Sequence, residues 1–124
     1  MLTDGANADI WVYEWQRGSR TRLTGGSGVN TFPLWTPDGQ YVVFQSDGRL
    51  VWTRADGAER PQPLSDSEKQ QFPTSFSPDG KRLLLYEHPS DGGSLIQTMS
   101  IENRSGQLRA GPVELFRRER LTTD

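Results

Sequence analysis

The chain has 124 residues, of which 32% are apolar and 24% charged, and its formal net charge is −2. This length fits a single domain, and the slightly acidic charge gives no electrostatic reason to expect nucleic acid or an anionic membrane surface as a partner. Cysteine is absent, which excludes disulfides and thiolate metal sites. No segment approaches about eighteen consecutive apolar residues, so we expect no membrane insertion.

Aromatic residues and turn formers dominate the composition. The four Trp, five Phe and three Tyr are too many for a disordered polar chain. The dipeptide Asp-Gly, which is typical of tight β-turns, begins at positions 4, 38, 47, 56, 79 and 91. These features predict an all-β chain of short strands, with no helix longer than one turn.

The strands are predicted in chain order from short apolar runs bounded by turn residues. The strongest turn signal is Pro-Asp-Gly, at residues 37–39 and 78–80. Its proline presets φ, its aspartate bonds the local backbone and its glycine accepts positive φ, so each copy predicts a hairpin. The predicted strands lie around Trp11, before Leu23, on both sides of residues 37–39, around Trp52, before Leu64, on both sides of residues 78–80, and over residues 95–101 and 113–116.

An internal repeat is the strongest signal in the sequence. Residues 33–44 align with residues 74–85 at an offset of 41, so that an aromatic residue, a hydroxyl, Pro-Asp-Gly and an apolar run recur in order. The same offset places Leu23 on Leu64 and Trp11 on Trp52. A fixed period of this length indicates stacked repeat units.

Each period holds four predicted strands with large apolar residues on both faces, which is typical of a β-propeller blade packed between two neighbours. We therefore predict an all-β fold, an incomplete β-propeller built of four-stranded antiparallel blades. The alternative is a two-sheet β-sandwich, but a sandwich would not require the same turn in each unit.

These motifs resemble the TolB-type, WD-like propeller family. Its repeat runs through an Asp-Ile-aromatic strand, an Arg-Leu-Thr strand, a Pro-x-Trp-Ser-Pro-Asp-Gly turn and a Phe-Ser-Asp ending. The first copy supplies Asp9-Ile10-Trp11, Arg22-Leu23-Thr24, Pro33-Leu34-Trp35-Thr36-Pro37-Asp38-Gly39 and Phe44-Gln45-Ser46-Asp47. The second copy supplies Trp52, Pro63-Leu64-Ser65 and Phe76-Ser77-Pro78-Asp79-Gly80. A third copy of the repeat stops before any Pro-Asp-Gly turn.

The resemblance implies a ring of six blades, which needs about twice this length. We therefore expect a fragment of about two and a half blades with about ten strands. It divides into an outer half-blade over residues 1–30, full blades over residues 31–71 and 72–117, and a tail over residues 118–124. The open blade faces at its ends should be covered by another copy of the chain or by the missing blades of a parent protein.

The resemblance also implies a class of function. Longer proteins with such blades are often bacterial, and some join a propeller outside the cytoplasm to a serine/threonine kinase or a DNA-binding domain, while others place it before a prolyl-oligopeptidase-type hydrolase. The propeller itself is a scaffold, binding surface or gate. We therefore expect a non-catalytic interaction module that takes a protein or peptide ligand, has no cofactor and self-associates.

Three alternatives to that function stay open. The chain could belong to the gating propeller of a serine peptidase, to the sensor propeller of a bacterial kinase, or to a small self-assembling repeat protein. The residues leave the localisation unknown, and only the resemblance points to the periplasmic side of a bacterial membrane for the parent.

No candidate for catalysis or metal binding is favoured over a structural role. His88 is the sole histidine, and no Gly-x-Ser-x-Gly nucleophile motif accompanies it, so we expect a surface loop histidine. Residues 4–9 space three oxygen side chains in the manner of a calcium loop, but they lack that loop's glycine and closing glutamate. Asp38 and Asp79 hold equivalent repeat positions, so we expect turn residues a blade width apart rather than paired catalytic carboxylates.

Three further motifs are also predicted to be structural. Residues 25–28 are rich in glycine but lack the Lys-Ser/Thr and helix of a phosphate loop, and we expect a connection between blades. The basic run at residues 117–120 predicts a solvated tail. The Asn103-Arg104-Ser105 sequon predicts an ordinary turn.

Most of the aromatic residues are assigned to the packing between blades. Trp35 in particular is predicted to lie between blades, so that Trp35→Ala would cost about 3 to 5 kcal/mol of stability. No catalytic, cofactor-binding or metal residue is assigned. The residues assigned to the structural repeat motif are Trp11, Trp35, Pro37, Asp38, Gly39, Trp52, Phe76, Pro78, Asp79 and Gly80.

Overall fold

A computed structural model describes residues 2–4, 7–25, 28–65, 67, 69–88 and 93–119, and these residues form strands and turns without a helix. The all-β prediction is confirmed. The strands are β1 (Leu2–Asp4), β2 (Asn7–Asp9), β3 (Trp11–Glu14), β4 (Ser19–Arg22), β5 (Asn30–Trp35), β6 (Tyr41–Ser46), β7 (Arg49–Arg54), β8 (Gln62–Pro63), β9 (Gln70–Phe76), β10 (Arg82–His88), β11 (Ser94–Arg104) and β12 (Gln107–Glu119).

The middle sheet contains β5, β6, β7 and β8 in that order, and adjacent strands in it are antiparallel. The predicted Pro37-Asp38-Gly39 turn joins β5 to β6. Asp47 and Gly48 join β6 to β7 with φ values of 49° and 86°. Positive φ at both central residues is typical of a two-residue hairpin turn, and Asp-Gly adopts it at little cost.

The last sheet repeats this order with β9, β10, β11 and β12. Its outer hairpin is long, because β11 has 11 residues and β12 has 13. Strand β12 reaches Glu119, which pairs with Ser94, so the strand runs two residues past the predicted end of the blade at residue 117. Residues 117–119 therefore belong to strand β12.

The partial sheet, β1 to β4, precedes these two sheets. Strand β1 pairs with β2, and β3 pairs with β4, while Ile10 alone separates β2 from β3. These strands hold the positions of the second, third and fourth strands of the other sheets. The described residues thus form twelve strand segments, whereas about ten strands were predicted. The two additional segments are β1 and the separate strand β2, which Ile10 divides from β3.

The structure has two cores, one at each junction between sheets, numbered in chain order. The second core is a cluster of buried side chains between the middle and last sheets. Val43, Leu50, Leu83 and Leu85 are fully buried in it. Alternate residues of β6 and β10 point into this core, as the two-residue period of a strand requires. The cluster comprises Tyr41, Val43, Leu50, Trp52, Leu64, Leu83, Leu85, Met99, Ile101 and Leu108, with Leu34, Phe76 and Ala110 packed against it.

The first core lies between the partial and middle sheets. Ile10 and Leu23 pack there with Val42 and Phe44, and Val12 packs against the cluster. Trp11 follows Ile10 and precedes Val12, so it lies on the opposite face of the strand. Trp11 is therefore not the structural counterpart of Trp52, which is buried in the second core, and the offset of 41 does not hold through this strand.

Trp35 and Phe76 hold the same repeat position but differ in their surroundings. Phe76 is half-buried against the second core, whereas 49% of Trp35 is exposed. The preceding residue, Leu34, packs on the second core, so Trp35 points toward the partial sheet, which has no described first strand to cover it. The structure thus does not place Trp35 inside a core.

Three sheets in series with a core at each junction define an incomplete β-propeller. Strand β9 lies beside β5, β6 and β7 of the preceding sheet, so the sheets converge at the first strand of the last one. A sandwich would bury one core between two sheets, whereas the middle sheet here is covered on both faces. The predicted fold class is confirmed, and the sheets do not close into a ring.

The two tryptophans offer a test of these junctions. Trp52→Ala should lower the free energy of unfolding by about 3 to 5 kcal/mol, because it opens a cavity in the second core. Trp35→Ala should cost only about 1 kcal/mol, because half of that ring is already in water. Urea unfolding of both variants measures these losses, and equal losses would contradict the exposed position of Trp35.

Candidate functional site

The first Pro-Asp-Gly turn is held by hydrogen bonds to the Asp38 carboxylate. The Thr36 hydroxyl donates to Asp38 Oδ1 over 2.6 Å, and the Gln40 amide donates to the same oxygen over 3.0 Å. The Tyr41 amide donates to Thr36 Oγ1 over 3.1 Å. The Thr36 bond, followed by the Gln40 bond, holds the pKa of the Asp38 carboxyl below its usual value.

The second turn repeats this network atom for atom. The Ser77 hydroxyl donates to Asp79 Oδ1 over 2.6 Å, the Lys81 amide donates to that oxygen over 2.9 Å, and the Arg82 amide donates to Ser77 Oγ. The Ser77 bond is the main cause of the lowered pKa of Asp79. Both aspartates therefore act as turn residues, which explains why the repeat carries a hydroxyl two positions before each of them.

The two turns lie side by side on one rim of the molecule. A Cβ placed on Gly80 would lie 3.5 Å from Pro37 Cδ, so the first turn packs on the second. Asp38 and Asp79 line one groove of about 660 Å³, which the β11–β12 hairpin closes with residues from Ser100 to Gly111. The two aspartates, one on each of two neighbouring sheets, thus border the same groove.

An aromatic cluster links the first strands of the middle and last sheets, and we name it the inner ring cluster. The Phe72 ring lies 5.2 Å from the Phe32 ring in a stacked arrangement, 5.4 Å from Tyr86 edge to face and 5.2 Å from the His88 ring. Phe32 is 52% exposed. Exposed stacked rings next to a histidine form a surface that suits contact with an apolar group.

The backbone at Phe32 is strained. Its φ is 55°, a value that bulky side chains rarely adopt, and it precedes Pro33 at an irregularity between β5 and β6. Such a conformation costs on the order of 1 to 3 kcal/mol, and strained residues of this kind cluster at binding sites. In this backbone conformation the Phe32 ring stacks on Phe72 of the next sheet.

His88 is exposed, in agreement with the predicted surface position, but it is the last residue of strand β10 and not part of a loop. Its Nδ1 lies 3.3 Å from the Gly93 carbonyl oxygen and 3.4 Å from Ser94 Oγ. The ring packs on Phe72 as part of the inner ring cluster. These contacts place His88 in an aromatic surface, and among the described residues its ring has the Ser94 hydroxyl but no carboxylate within hydrogen-bonding distance.

Glu87 is a buried carboxylate at the junction of the middle and last sheets. Ser67 Oγ and Gln71 Nε2 donate to its Oε1 over 3.1 and 3.2 Å, and Gln97 Nε2 donates to Oε2 over 3.3 Å. Three donors stabilise a charge that burial would otherwise penalise. The glutamate thus ties the connection at Ser67 to β9 and β11.

Asp9, the last residue of the candidate calcium loop at residues 4–9, links two strands through side-chain contacts. Asp9 accepts from the Thr24 hydroxyl over 2.5 Å and pairs with Arg22 over 2.6 Å, so it fixes β2 to the end of β4. Residues 5 and 6 of that loop, and residues 26 and 27 of the glycine-rich connection, lie outside the described residues. Among those described, no group of three or more His, Asp or Glu is placed to hold a metal ion.

The remaining predicted features are also located. Asn103 and Ser105 lie at the β11–β12 turn, where Asn103 Oδ1 accepts from the Gly106 amide. Trp11 lies beneath the guanidinium groups of Arg20 and Arg22, 5.7 and 5.6 Å from its ring centre. Within the described ranges, no helix is long and apolar enough to span a membrane.

The inner ring cluster was missed in the sequence. The signal for it is the dipeptide Phe-Pro, which occurs at residues 32–33 and again at 72–73. The spacing is 40 and not 41, because the second copy has one extra residue before its turn. An alignment of the repeats at an offset of 41 therefore does not superpose the two Phe-Pro dipeptides.

The stacked sheets make this protein an incomplete propeller with a TolB-like fold, and comparison with a solved structure supports that class. A protein of Agrobacterium tumefaciens provisionally assigned as TolB superposes with a TM-score of 0.71 and 27% identity, over 89% of this chain and 41% of the other. No family model matches the chain.

Two curated bacterial relatives are similar in sequence. An uncharacterized protein of Agrobacterium fabrum, Atu1656, is 30% identical over 105 residues, which cover 76% of this chain and 36% of the relative. The uncharacterized peptidase YuxL of Bacillus subtilis is 29% identical over 117 residues, 90% of this chain and 17% of the relative. The chain thus spans little more than a third of the length of Atu1656 and about a sixth of the length of YuxL.

The turn aspartates should make stability depend on pH. Because the pKa of Asp38 and Asp79 is lower in the folded than in the unfolded chain, their stabilisation is complete above the unfolded value of 3.8 and is lost as the pH falls through the folded value. The double variant Asp38→Asn, Asp79→Asn keeps an acceptor oxygen in each turn but cannot titrate. Urea unfolding below about pH 4 should therefore show a shallower pH dependence for the variant, and identical slopes would contradict this.

Proposed function

We propose that this chain is a non-catalytic interaction and scaffold module, part of a TolB-like propeller of about two and a half blades. The observation that carries the proposal is that both end sheets present a face that no described residue covers, although the middle sheet is covered on both sides. A propeller blade packs on a neighbour at each face. The module therefore functions by contact with other blades.

The first open face is the outer side of β3 and β4. Tyr13 is 62% exposed there, beside Trp11. Arg20 and Arg22 pair across the strands with Tyr13 and Trp11, and both guanidinium groups lie over the Trp11 ring. This face offers aromatic area and positive charge to a neighbour.

The last open face is the side of the last sheet that points away from the second core. Leu84, Tyr86 and Ile96 lie on it and are half-buried. Arg82 donates to Thr98 Oγ1 over 2.6 Å and pairs with Glu114 over 3.4 Å. The middle sheet has Tyr41 and Trp52 at the places of Arg82 and Thr98, so the last open face is more polar than a sheet face inside the stack.

The cover for these faces is a second copy of the chain or the blades of a longer parent. Self-association is the form that the chain alone can adopt, because the stacking of copies buries apolar area at both ends. A six-bladed bacterial parent on the periplasmic side of a membrane is consistent with the likeness to the Agrobacterium structure.

Sedimentation velocity over a range of concentrations tests self-association. We expect the average mass of the wild-type chain to rise with concentration, and we expect Ile96→Glu to remain monomeric, because it buries a charge in the contact. A wild-type chain that remains monomeric at high concentration would overturn self-association.

Val113→Glu is the matched control. Val113 is 45% exposed in the same sheet, but it pairs with Met99 and so lies on the face toward the middle sheet. This variant should associate like the wild type. Loss of association in both variants would show that the last open face is not the contact.

A gating propeller of a serine peptidase is the second candidate, and the likeness to YuxL favours it. In that case the chemistry lies in another domain of the full protein. Expression of the whole reading frame and labelling with a fluorophosphonate probe tests this candidate. A labelled serine outside these residues would support the peptidase, and absence of labelling would leave the scaffold module.

A further inference from the structure

The groove between the two Pro-Asp-Gly turns and the β11–β12 hairpin lies at a packed junction, and we name it the rim groove. Its volume of about 660 Å³ is typical of sites that bind a small ligand or a few residues of a peptide. Both of its walls come from the middle and last sheets, which pack on each other through the second core. The rim groove is therefore separate from the two open end faces.

One side of the rim groove is apolar. Ile101 and Leu108 line it and are buried members of the second core, and Ala110, which packs against that core, lines it as well. Pro37 adds an apolar residue from the first turn. This side can cover the aliphatic part of a bound side chain.

The other side presents two carboxylate oxygens that the turns do not use. In each turn the Oδ1 atom accepts both hydrogen bonds, and among the described residues no donor is bonded to Oδ2 of Asp38 or Asp79. The pKa of both carboxyls is lowered, so both are ionised at neutral pH. The close approach of Gly80 to Pro37 brings the turns together, so both charges border the same space.

The balance of charge in the rim groove is negative. Glu102 also lines it, but this carboxylate already pairs with Arg104 over 3.1 Å. The carboxylates of Asp38 and Asp79 (−2) and the ammonium of Lys81 (+1) then leave a net charge of −1. A ligand that matches both sides has an apolar body and a cationic end, as arginine and lysine side chains do.

We propose that the rim groove binds an arginine side chain of a partner protein. The aliphatic part of the side chain lies on the apolar side, and the guanidinium donates to Oδ2 of Asp38 and of Asp79. Arginine is favoured over lysine, because its planar guanidinium has five donors and can bond two acceptors at once. This site goes beyond the proposed scaffold function, since it lies between two packed sheets and not on an end face.

A pair of peptides tests which chemistry the rim groove recognises. The probe is acetyl-Leu-Arg-Leu-amide, and its matched control has citrulline in place of arginine, which keeps the shape of the side chain but has no charge. Each peptide is titrated into the full ¹⁵N-labelled chain, and the amide signals of Gln40 and Lys81, which bond to the turn aspartates, report binding. We expect saturable shifts with the arginine peptide and about tenfold weaker binding of the citrulline peptide.

Variants of the chain locate the site. The double variant Asp38→Asn, Asp79→Asn removes both charges but keeps an acceptor oxygen in each turn, and it should bind the arginine peptide about tenfold more weakly. Asp56→Asn, Glu59→Gln is the matched control, because it removes two exposed charges outside the rim groove, and it should bind like the wild type. Lys81→Met removes the opposing cation and should strengthen binding about threefold.

The outcomes separate this site from self-association. Absence of saturable shifts, equal binding of the two peptides, or unchanged binding to the aspartate double variant would each overturn the arginine site. Loss of self-association in that double variant would assign the rim groove to a second copy of the chain and would overturn a separate partner. A chain that sediments as a monomer but prefers the arginine peptide retains the arginine site and loses self-association alone.

Discussion

The packing of the middle sheet on the last sheet is the contact on which the rest of the structure depends. Val43 and Leu50 meet Leu83 and Leu85 in a dry layer from which water is excluded. Burial of this layer supplies the main driving force for ordering such a polar chain. Because side chains alternate along each strand, filling this layer also decides which residues point toward the partial sheet and which remain open at the ends.

Much of this fold could be predicted because turn chemistry is local. Pro-Asp-Gly carries its own conformational preferences, and the Thr36 and Ser77 hydroxyls that brace the two aspartates are visible at a fixed spacing. The repeat period then predicts the stacking of sheets. Local rules fail where one residue breaks the period. In the partial sheet Ile10 holds the place of Leu50, at an offset of 40 and not 41, so Trp11 lies on the face opposite that of Trp52.

The surfaces were harder to predict than the turns, because they depend on what lies next to them. Trp35 and Phe76 are equivalent in sequence, yet only Phe76 has a complete sheet beside it. The inner ring cluster depends on a positive φ at Phe32, which no propensity predicts for a bulky residue before proline. The polar contacts of Arg82 with Thr98 and Glu114 likewise could be interpreted only by comparison with the middle sheet. That sheet has Tyr41 and Trp52 at the positions equivalent to Arg82 and Thr98.

The long β11–β12 hairpin joins neighbouring repeats more tightly than the stacking of sheets alone. Ile101 and Leu108, near its turn, are buried in the second core with Tyr41 of the preceding sheet, and Gly106 borders a cavity with Arg54. If this hairpin detached, it would uncover a residue of another repeat as well as its own. The two complete repeats should therefore open as one cooperative unit, and their amide protons should exchange with solvent together and not blade by blade.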